Sequence, residues 1–447
     1  MLASFLWGVL VPSLLISRQV VLGLRATAAE TTGSPAVPPR GISSPFNVSV
    51  LTWNLAETAP TADSLRFLGE LAGADFVVLG VQECENVKPR RQEGHRSRAW
   101  RAAQKKYFGK GYTALAQHRM GGLQISVFVR KALAKKVQGV QILDVACGVG
   151  NVLTNKGAVC VLVRSQGKTV AFVNGHFAAH QGKVKERNSD YHRVTESVIS
   201  RAQRRWLHKK YVPRAPAKKL LPASLPQKRT AMDVLRSQPV LRQVLGGSLQ
   251  VEVEGDTGGS GMKRKRRKGA RRPKRSAGVK ASAKEKERSS PESVLWPFDG
   301  VVFLGDLNYR LDLPRLEVEI AKERCTRESS LPSNAMDVPS EFLPELRAML
   351  RHDQLRRQMI AGKVFEGFKE GDITFWPTFK YDRGSPDFDS SGKNRAPSWT
   401  DRILFYNFRE EDSSATSEPV LELARYFSVD CRHGDHRPVC ALFNLNL

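Results

Sequence analysis

The chain has 447 residues, 41% of them hydrophobic, which is enough for a sizeable core; the length fits two or three domains, or one large α/β domain plus unstructured segments. Its formal charge of +27 is uneven: residues 201–290 hold 26 Lys and Arg against 6 Asp and Glu, and the remainder 45 against 38. The six cysteines, at 84, 147, 160, 325, 431 and 440, form no CxxC pair and no regular spacing, so neither a zinc site nor a disulfide framework is signalled and a reducing compartment suits them.

The N-terminal stretch MLASFLWGVLVPSLLISRQVVLGLRATAAE is apolar from Leu2 to Ile16 and broken by Arg18. That is short of the ~20 residues a spanning helix needs, unless the segment continues past Arg18 to Leu24. Ala26-Thr27-Ala28 resembles a signal-peptidase site, yet no positive charge precedes the apolar run. A signal anchor and an unimportant leader both stay open; if the segment inserts, Arg18 and Arg25 on its C-terminal flank leave the bulk of the chain in the cytosol. The Pro, Gly and Ser content of TTGSPAVPPRGISSP makes residues 31–45 a linker.

From Phe46 to the C-terminus, extended runs alternate with helical ones, the pattern of α/β architecture. Strands are expected at FNVSVLTWN and DFVVLGVQE, at LQISVFVRK, and as a hairpin in AVCVLVRSQGKTVAFVNGHF turning at Ser165–Lys168. Further strands are expected in GVVFLGD, DRILFY and the terminal RPVCALFNL. Helices are expected over Ser64–Leu71, Val184–Trp206 and SEFLPELRAMLRHDQLRRQMIA. The segment at about 207–290, with KRKRRKGARRPKR at its heart, cannot bury enough apolar surface to offset its ordering entropy. It reads as a long disordered basic insertion within a single domain spanning 46–447.

The expected strands end in polar residues: Asn54, Gln82-Glu83, Asn174 and His176, and Asp306 and Asn308, while Asp435 and His436 precede the last strand. A polar strand end is usually a turn former. Five together would gather at one rim if the strands share a sheet or two stacked sheets. Side-chain alternation along extended backbone would put Asp306 and Asn308 on one side. Glu83 and a carboxamide are hard oxygen ligands of the kind Mg²⁺ accepts, and the lack of Cys or an HExxH pair argues against zinc. Asp306 could orient or deprotonate a water, and two histidines could donate to phosphoryl oxygens. The chain has neither a Walker-type loop nor a CxxxxxR loop, so the chemistry implied is metal-assisted hydrolysis of a phosphate ester by direct water attack.

The motifs LTWN, VQE, VNGHFAAH followed by RNSDY, FLGDLNYR, PTFKYDRGSPDFDSSGKNRAPSWTDRIL and GDHRPV resemble, in order, those of the inositol polyphosphate 5-phosphatases. The resemblance covers Phe46 to Leu447 apart from the basic insertion. It implies a four-layer sandwich of two stacked mixed β-sheets flanked by helices, shared with abasic-site endonucleases and pancreatic-type deoxyribonucleases. It also implies that Glu83 holds Mg²⁺ with Asn54 close to the metal and the scissile phosphate, that Asp306 positions and deprotonates the water, and that Asn308 steadies it or a phosphoryl oxygen. His436, oriented by Asp401, would contact the scissile phosphate, with Asp435 assisting at the metal side and His176 donating in the transition state. Taken without the resemblance, Asp401 reads as a surface salt bridge with Arg402, and His180 and His192 as helix-start or surface histidines.

In this family, basic residues at the positions of Lys380, Lys393 and Arg395 hold a neighbouring 4-phosphate, a role suited to charge-assisted hydrogen bonds; the bland alternative is a solvated basic loop. Three departures stand out: Phe379 where Tyr is common, Gly434 where Ser is usual, and Thr400 in place of Cys, the last expected to be harmless. The implied substrates are phosphoinositides such as phosphatidylinositol 4,5-bisphosphate or soluble inositol polyphosphates, acted on by a monomer in the cytoplasm or at the cytoplasmic face of membranes. The basic insertion would serve an anionic membrane, nucleic acid or nuclear import. A nuclease of the same fold and a catalytically inactive inositide-binding protein are the competing readings.

Overall fold

The computed structural model describes residues 45–85, 94–148, 150, 153–204, 296–329, 336–408 and 418–447. The leader, the linker up to residue 44 and the basic insertion lie outside the described residues. Among the described residues, twelve strands form two six-stranded sheets. In the first, the order is β11 (Leu421–Ser428), β12 (Val439–Leu445), β1 (Phe46–Asn54), β2 (Phe76–Gln82), β4 (Leu123–Arg130) and β3 (Tyr112–Met120). In the second it is β5 (Val137–Ala146), β6 (Gly157–Ser165), β7 (Lys168–His176), β8 (Gly300–Asp306), β10 (Asp401–Asn407) and β9 (Lys369–Glu370). Both sheets are mixed, because β1 pairs with β2 and β7 with β8 in parallel while the remaining pairs are antiparallel.

The period-two alternation of each strand divides its side chains between two layers. Val48, Val50, Phe76 and Val78 of one sheet meet Val161, Phe172, Val302 and Leu304 of the other in a shared core. Their neighbours point outward. Leu51, Trp53, Val77 and Leu79 pack with α1 (Leu68–Leu71) and with Trp100 and Phe108 of α2 (His95–Phe108). Val173, Val301 and Phe303 pack with Tyr191, Val194 and Val198 of α3 (Val184–Ala202). Covering both faces is why the central strands read as continuous apolar runs rather than alternating ones, and the result is the expected four-layer sandwich.

The differences from expectation have local causes. The strands β3, β5, β9 and β11, the helix α2, and α4 (Arg315–Glu328) escape a reading by apolar runs. β3 and β5 are only partly buried, and α4 buries only Val318 and Cys325, so each lacks the dense apolar pattern that marks the central elements. The helix expected over 340–361 is broken: α5 (Leu343–Leu350) stops, and Asp353 starts α6 (Gln354–Ile360) by accepting the Arg356 N–H at 2.9 Å, the role an N-cap carboxylate performs. Ser64–Leu71 is a 3₁₀ turn followed by the single turn of α1.

Asn174, read from sequence as a rim residue, is fully buried between the sheets. Its Nδ2 donates to the Val81 carbonyl at 3.1 Å and the Gln124 carbonyl at 2.8 Å, and its Oδ1 accepts from Gln82 Nε2 at 2.6 Å. It therefore ties β7 to β2 and β4 across the core. Gly80 makes the room, since a Cβ there would lie 2.9 Å from Asn174 Cγ and 2.6 Å from Leu304 Cδ1. Replacing Asn174 by Ala would strand two carbonyls in a dry layer, at about 1–3 kcal/mol for each unsatisfied group, while the Gln82 amide keeps its second acceptor, Thr52 Oγ1 at 3.1 Å. Urea denaturation of Asn174→Ala is expected to show a loss of at least about 2 kcal/mol; a loss under about 1 kcal/mol would mean the bridge contributes nothing.

Candidate active site

The same alternation that builds the inter-sheet core carries polar groups to one end of it. Asn54 continues the inward face of β1, and His176, Asp306 and Asp401 the inward faces of β7, β8 and β10. Parallel pairing sets His176 beside Asp306, and antiparallel pairing sets Asp401 on the other side of Asp306. All four are buried. Across the gap, Asn54 Nδ2 donates to Asp306 Oδ2 at 3.0 Å, while its own Oδ1 accepts the Ala56 N–H at 2.9 Å.

His436, from the turn before β12, closes the site from the other sheet. Its Nδ1 lies 2.9 Å from Asp401 Oδ2. The same oxygen accepts from the hydroxyls of Thr378 at 2.7 Å and Thr400 at 2.9 Å, while Asp401 Oδ1 is buried with no partner among the described residues. Asp401 does not pair with Arg402, whose guanidinium instead meets Asp353 at 2.9 Å and Glu370 at 2.6 Å. Thr400, expected to be a neutral replacement for Cys, supplies one of the three donors. Asp306, Asp401 and His436 offer ligand atoms within 4.8 Å of one another, but an Asp401 oxygen with three donors already on it makes this trio a hydrogen-bonded relay rather than an ion cage.

Glu83 follows β2 in a left-handed conformation at φ 49°, which turns its carboxylate toward the rim. Its Oε1 is 3.7 Å from His176 Nε2, and Asp306 Oδ2 is 3.5 Å from the same nitrogen. Asn308 departs from the extended geometry expected of it. It sits at φ 58° and donates its own N–H to Asp306 Oδ1 at 3.1 Å. This Asx-type turn, rather than strand alternation, brings it back to Asp306; its side chain donates to the Phe177 carbonyl at 3.1 Å and accepts from Arg310.

A cavity of about 920 Å³ opens over this end of the sandwich. Glu83, Asp306, Asn308, His436, Asp435, Lys380, Lys393 and Arg395 line it, whereas Asn54, His176 and Asp401 stand directly behind residues that do. Asp435, expected to assist at the metal side, lines the cavity and accepts from the Lys380 ammonium. Arg395 meets Asp389 at 3.3 Å. Lys393 has no ion-pair partner among the described residues.

The sequence reading missed several lining groups. Lys156, on the turn between β5 and β6, is in contact with His176 Nε2. Arg310, inside the quoted GDLNYR, lies 4.4 Å above the Phe379 ring, which in turn packs at 4.4 Å against the His436 imidazole. Phe379 thus wedges between an imidazole and a guanidinium, a packing role that a tyrosine ring could equally fill. His180, taken as a surface histidine, also lines the cavity; its loop is clamped by Arg187, which donates to the carbonyls of Ala178, His180 and Gln181. A Cβ on Gly434 would meet nothing nearer than Ala56 Cβ at 3.5 Å, so the usual serine would fit there. Lys156 immediately before β6 and Arg310 at the end of a suspected catalytic motif were the available signals.

Burial alone would raise Asp306 toward neutrality, but the hydrogen bond from His176 and the charges of His436 and Lys156 hold it well below the usual carboxylate range. It is ionised at neutral pH. His436 is the converse: burial opposes its charge, yet the hydrogen-bonded Asp401, with Asp306 and Asp435, pushes its pKa up to about 9. Burial and the neighbouring Lys156 push His176 down, leaving it the neutral member of the pair.

The model of endonuclease/exonuclease/phosphatase family 2 matches residues 51–214 and 260–442. Type II inositol polyphosphate 5-phosphatase 15 of Arabidopsis thaliana is 28% identical over 90% of this chain and 32% of its own length. Human phosphatidylinositol polyphosphate 5-phosphatase type IV is 26% identical over 89% of this chain and 46% of its own. The chain thus spans less than half the length of these curated relatives. Among solved structures, the inositol polyphosphate 5-phosphatase domain of a synaptojanin, in complex with inositol (1,4)-bisphosphate and calcium ion, has a TM-score of 0.55 at 22% identity, covering 90% of this chain and 84% of that one. A Cimex nitrophorin in its ferrous NO complex has a TM-score of 0.53 at 16% identity, covering 92% and 100%. The fold is therefore shared by proteins of different chemistry, and the site has to decide between them.

Because the folded pKa of His436 is raised, the stability its charge contributes is fully present below the unfolded value of about 6.5 and is lost as pH rises through about 9. Nuclear magnetic resonance of metal-free protein is expected to show the His436 imidazolium persisting at pH 8, with Asp401→Asn moving its titration down by at least about one unit. An unchanged titration in Asp401→Asn would remove Asp401 as its partner.

Proposed function

The chain belongs to endonuclease/exonuclease/phosphatase family 2, and from that premise we propose that it is an inositol polyphosphate 5-phosphatase, hydrolysing the 5-phosphate of phosphoinositides or soluble inositol polyphosphates with the aid of Mg²⁺. The observation that carries the reading is one cavity that joins an ionised carboxylate and a raised-pKa imidazole to a rim of Lys380, Lys393 and Arg395. A dianionic phosphate monoester on a multiply phosphorylated ring matches that distribution of charge. The named curated relatives bear 5-phosphatase names, and this supports the same class here.

The donor set fits magnesium. Glu83 and Asp306 bring carboxylate oxygens to either side of one imidazole nitrogen, Asn54 adds a carboxamide beside Asp306, and no cysteine lines the cavity; hard oxygen ligands with room for water are what this ion requires. Glu83 would hold it, with Asn54 adjacent, and when bound it would neutralise phosphoryl charge and polarise the attacked phosphorus.

In this reading the Asp306 carboxylate accepts a hydrogen bond from the attacking water and aims it. A carboxylate held so far below its usual range orients a water better than it strips one, and a loose phosphoryl transition state needs little deprotonation. The His436 imidazolium, kept charged by Asp401, donates from Nε2 to a non-bridging phosphoryl oxygen. Asn308 and Arg310 hold the Asp306 turn, and Lys393 offers an uncommitted cation to a neighbouring ring phosphate. Asp435, by occupying Lys380, keeps that ammonium at the rim. We also propose, from composition alone, that the basic segment at 207–290 brings the enzyme to the anionic cytoplasmic face of a membrane.

Phosphate release from phosphatidylinositol 4,5-bisphosphate in the presence of Mg²⁺ is expected for the intact chain, and Asp306→Ala is expected to lower kcat by roughly 10²–10⁴-fold without unfolding. No release by folded protein, or undiminished turnover in the variant, would defeat the assignment. Deleting residues 208–290 is expected to preserve turnover of soluble inositol trisphosphate while weakening binding to anionic vesicles; loss of soluble turnover would instead make the segment part of the folded domain.

A further inference from the structure

A second cleft, of about 460 Å³, lies between α5, α6 and the segment 370–374. Four guanidinium groups line it: Arg347 of α5, Arg351 just after it, and Arg356 and Arg357 of α6. All four residues are exposed. We propose that this cleft is a second anion site, for a ligand carrying two or more phosphate groups, and that Arg357 couples it to the catalytic cavity. The proposal goes beyond the phosphatase reading and stands without it.

Exposed arginines are ordinarily a solvated face, so the argument rests on what surrounds these. Arg347, Arg351 and Arg356 have no ion-pair partner among the described residues. The lining offers two carboxylates against them, Glu370 and Asp372. Glu370 is already engaged: its Oε1 accepts from Arg402 Nε at 2.7 Å and from the Tyr426 hydroxyl at 3.0 Å, and its Oε2 accepts from Arg402 Nη2 at 2.6 Å. Asp372 alone remains to offset three uncommitted cations held in a concave surface. Converging like charges repel, and a concave wall focuses their field on whatever enters. Guanidinium forks are matched in geometry to phosphate oxygens. The floor of Leu343, Leu350 and Ile373 is apolar, which would hold the ring or glycerol portion of a phosphate ester.

The coupling follows from Arg357. Its Nη1 lies 3.1 Å from Asp312 Oδ2, and Asp312 lines the catalytic cavity. The other Asp312 oxygen accepts from Gln181 at 2.9 Å and Gln354 at 2.7 Å, and Gln354 also accepts from Arg187 and from the Arg310 N–H. An anion that draws Arg357 into the cleft loosens the tie holding Asp312, and by linkage a ligand in the catalytic cavity must affect the cleft equally.

Calorimetric titration of full-length Asp306→Ala, which in the reading above turns substrate over at least about a hundredfold more slowly, with inositol hexakisphosphate is expected to show two binding events above the diffuse uptake by the basic segment at 207–290. Adding Arg347→Glu and Arg351→Glu is expected to weaken one of them by at least about tenfold. Adding Lys393→Glu and Arg395→Glu instead should weaken the other. Both events persisting unchanged in the Arg347/Arg351 variant, or a single event in the parent, overturns the cleft site. If that variant loses its native tryptophan fluorescence, Arg347→Gln with Arg351→Gln replaces it under the same criteria. Vesicles of phosphatidylcholine with about 5 mol% phosphatidylinositol 4,5-bisphosphate form the parallel arm: weaker vesicle binding in the Arg347/Arg351 variant identifies a lipid headgroup as ligand, and loss confined to the soluble probe identifies a free phosphate ester. Arg357→Gln is expected to make the two events independent; interdependence surviving that change overturns the coupling. Failure of phosphatase activity in the wild-type chain would leave the calorimetric result intact, so the two readings fail separately.

Discussion

One hydrogen bond, from the Asn54 carboxamide to the Asp306 carboxylate, joins the end of one sheet to the end of the other. It spans the layer that, a few residues earlier on each strand, is filled by Val48, Val50, Val302 and Leu304. The site is the polar end of the hydrophobic core, built on the same inward-facing positions. That continuity makes the geometry rigid. Asn54, His176, Asp306 and Asp401 are each carried by a strand whose neighbouring inward side chains are locked in close-packed surroundings, so small displacements of Asp306 or Asn54 would have to move the core with them.

Placing polar groups there has an electrostatic consequence. Asp306, Asp401, His176 and His436 are all nearly inaccessible to water, and an unpaired charge in such a place is costly. The arrangement offsets charge locally: Asp401 against His436, Asp306 against His436 and Lys156, Asp435 against Lys380. The three donors on one Asp401 oxygen keep that carboxylate from rotating, and it in turn fixes the plane of the His436 ring, which Phe379 backs from the other face. The two histidines are pushed in opposite directions by their neighbours, one toward charge and one away from it. Two like residues in one site thereby acquire different chemistry, the usual product of environment rather than of residue type.

The apolar strand runs were legible because burial on both faces leaves a dense mark in the sequence. β1, β2, β4, the hairpin of β6 and β7, β8, β10 and β12 were read within a few residues. β3, β5 and β11 were not, since their partial exposure dilutes the pattern, and α4 hides because it buries only two of its residues. Among site residues, Glu83, Asp306 and His436 announced themselves as polar punctuation after apolar runs. Asn174 gave the same signal and proved to be a buried bridge between sheets, for a single strand's ending does not say how far along the sandwich it lies. Lys156 stood before an expected strand and Arg310 at the end of a recognised motif, but neither carried a pattern of its own, and Thr378 and Thr400 acquire meaning only from the carboxylate they meet.

Residue order alone determined that the chain would form strands with polar ends and that those ends carried oxygen and imidazole groups suited to phosphate chemistry, because side-chain alternation and hydrophobicity act over a few neighbouring residues. Only the tertiary structure decided which ends meet. Asn54 and Asp306 are separated by 252 positions and His436 and Asp401 by 35, and their contact depends on the register of two sheets and on how they stack. Register also settles which neighbour each ionisable group faces, and so whether a buried histidine is charged, since Coulomb interactions depend on distance in space and not along the chain.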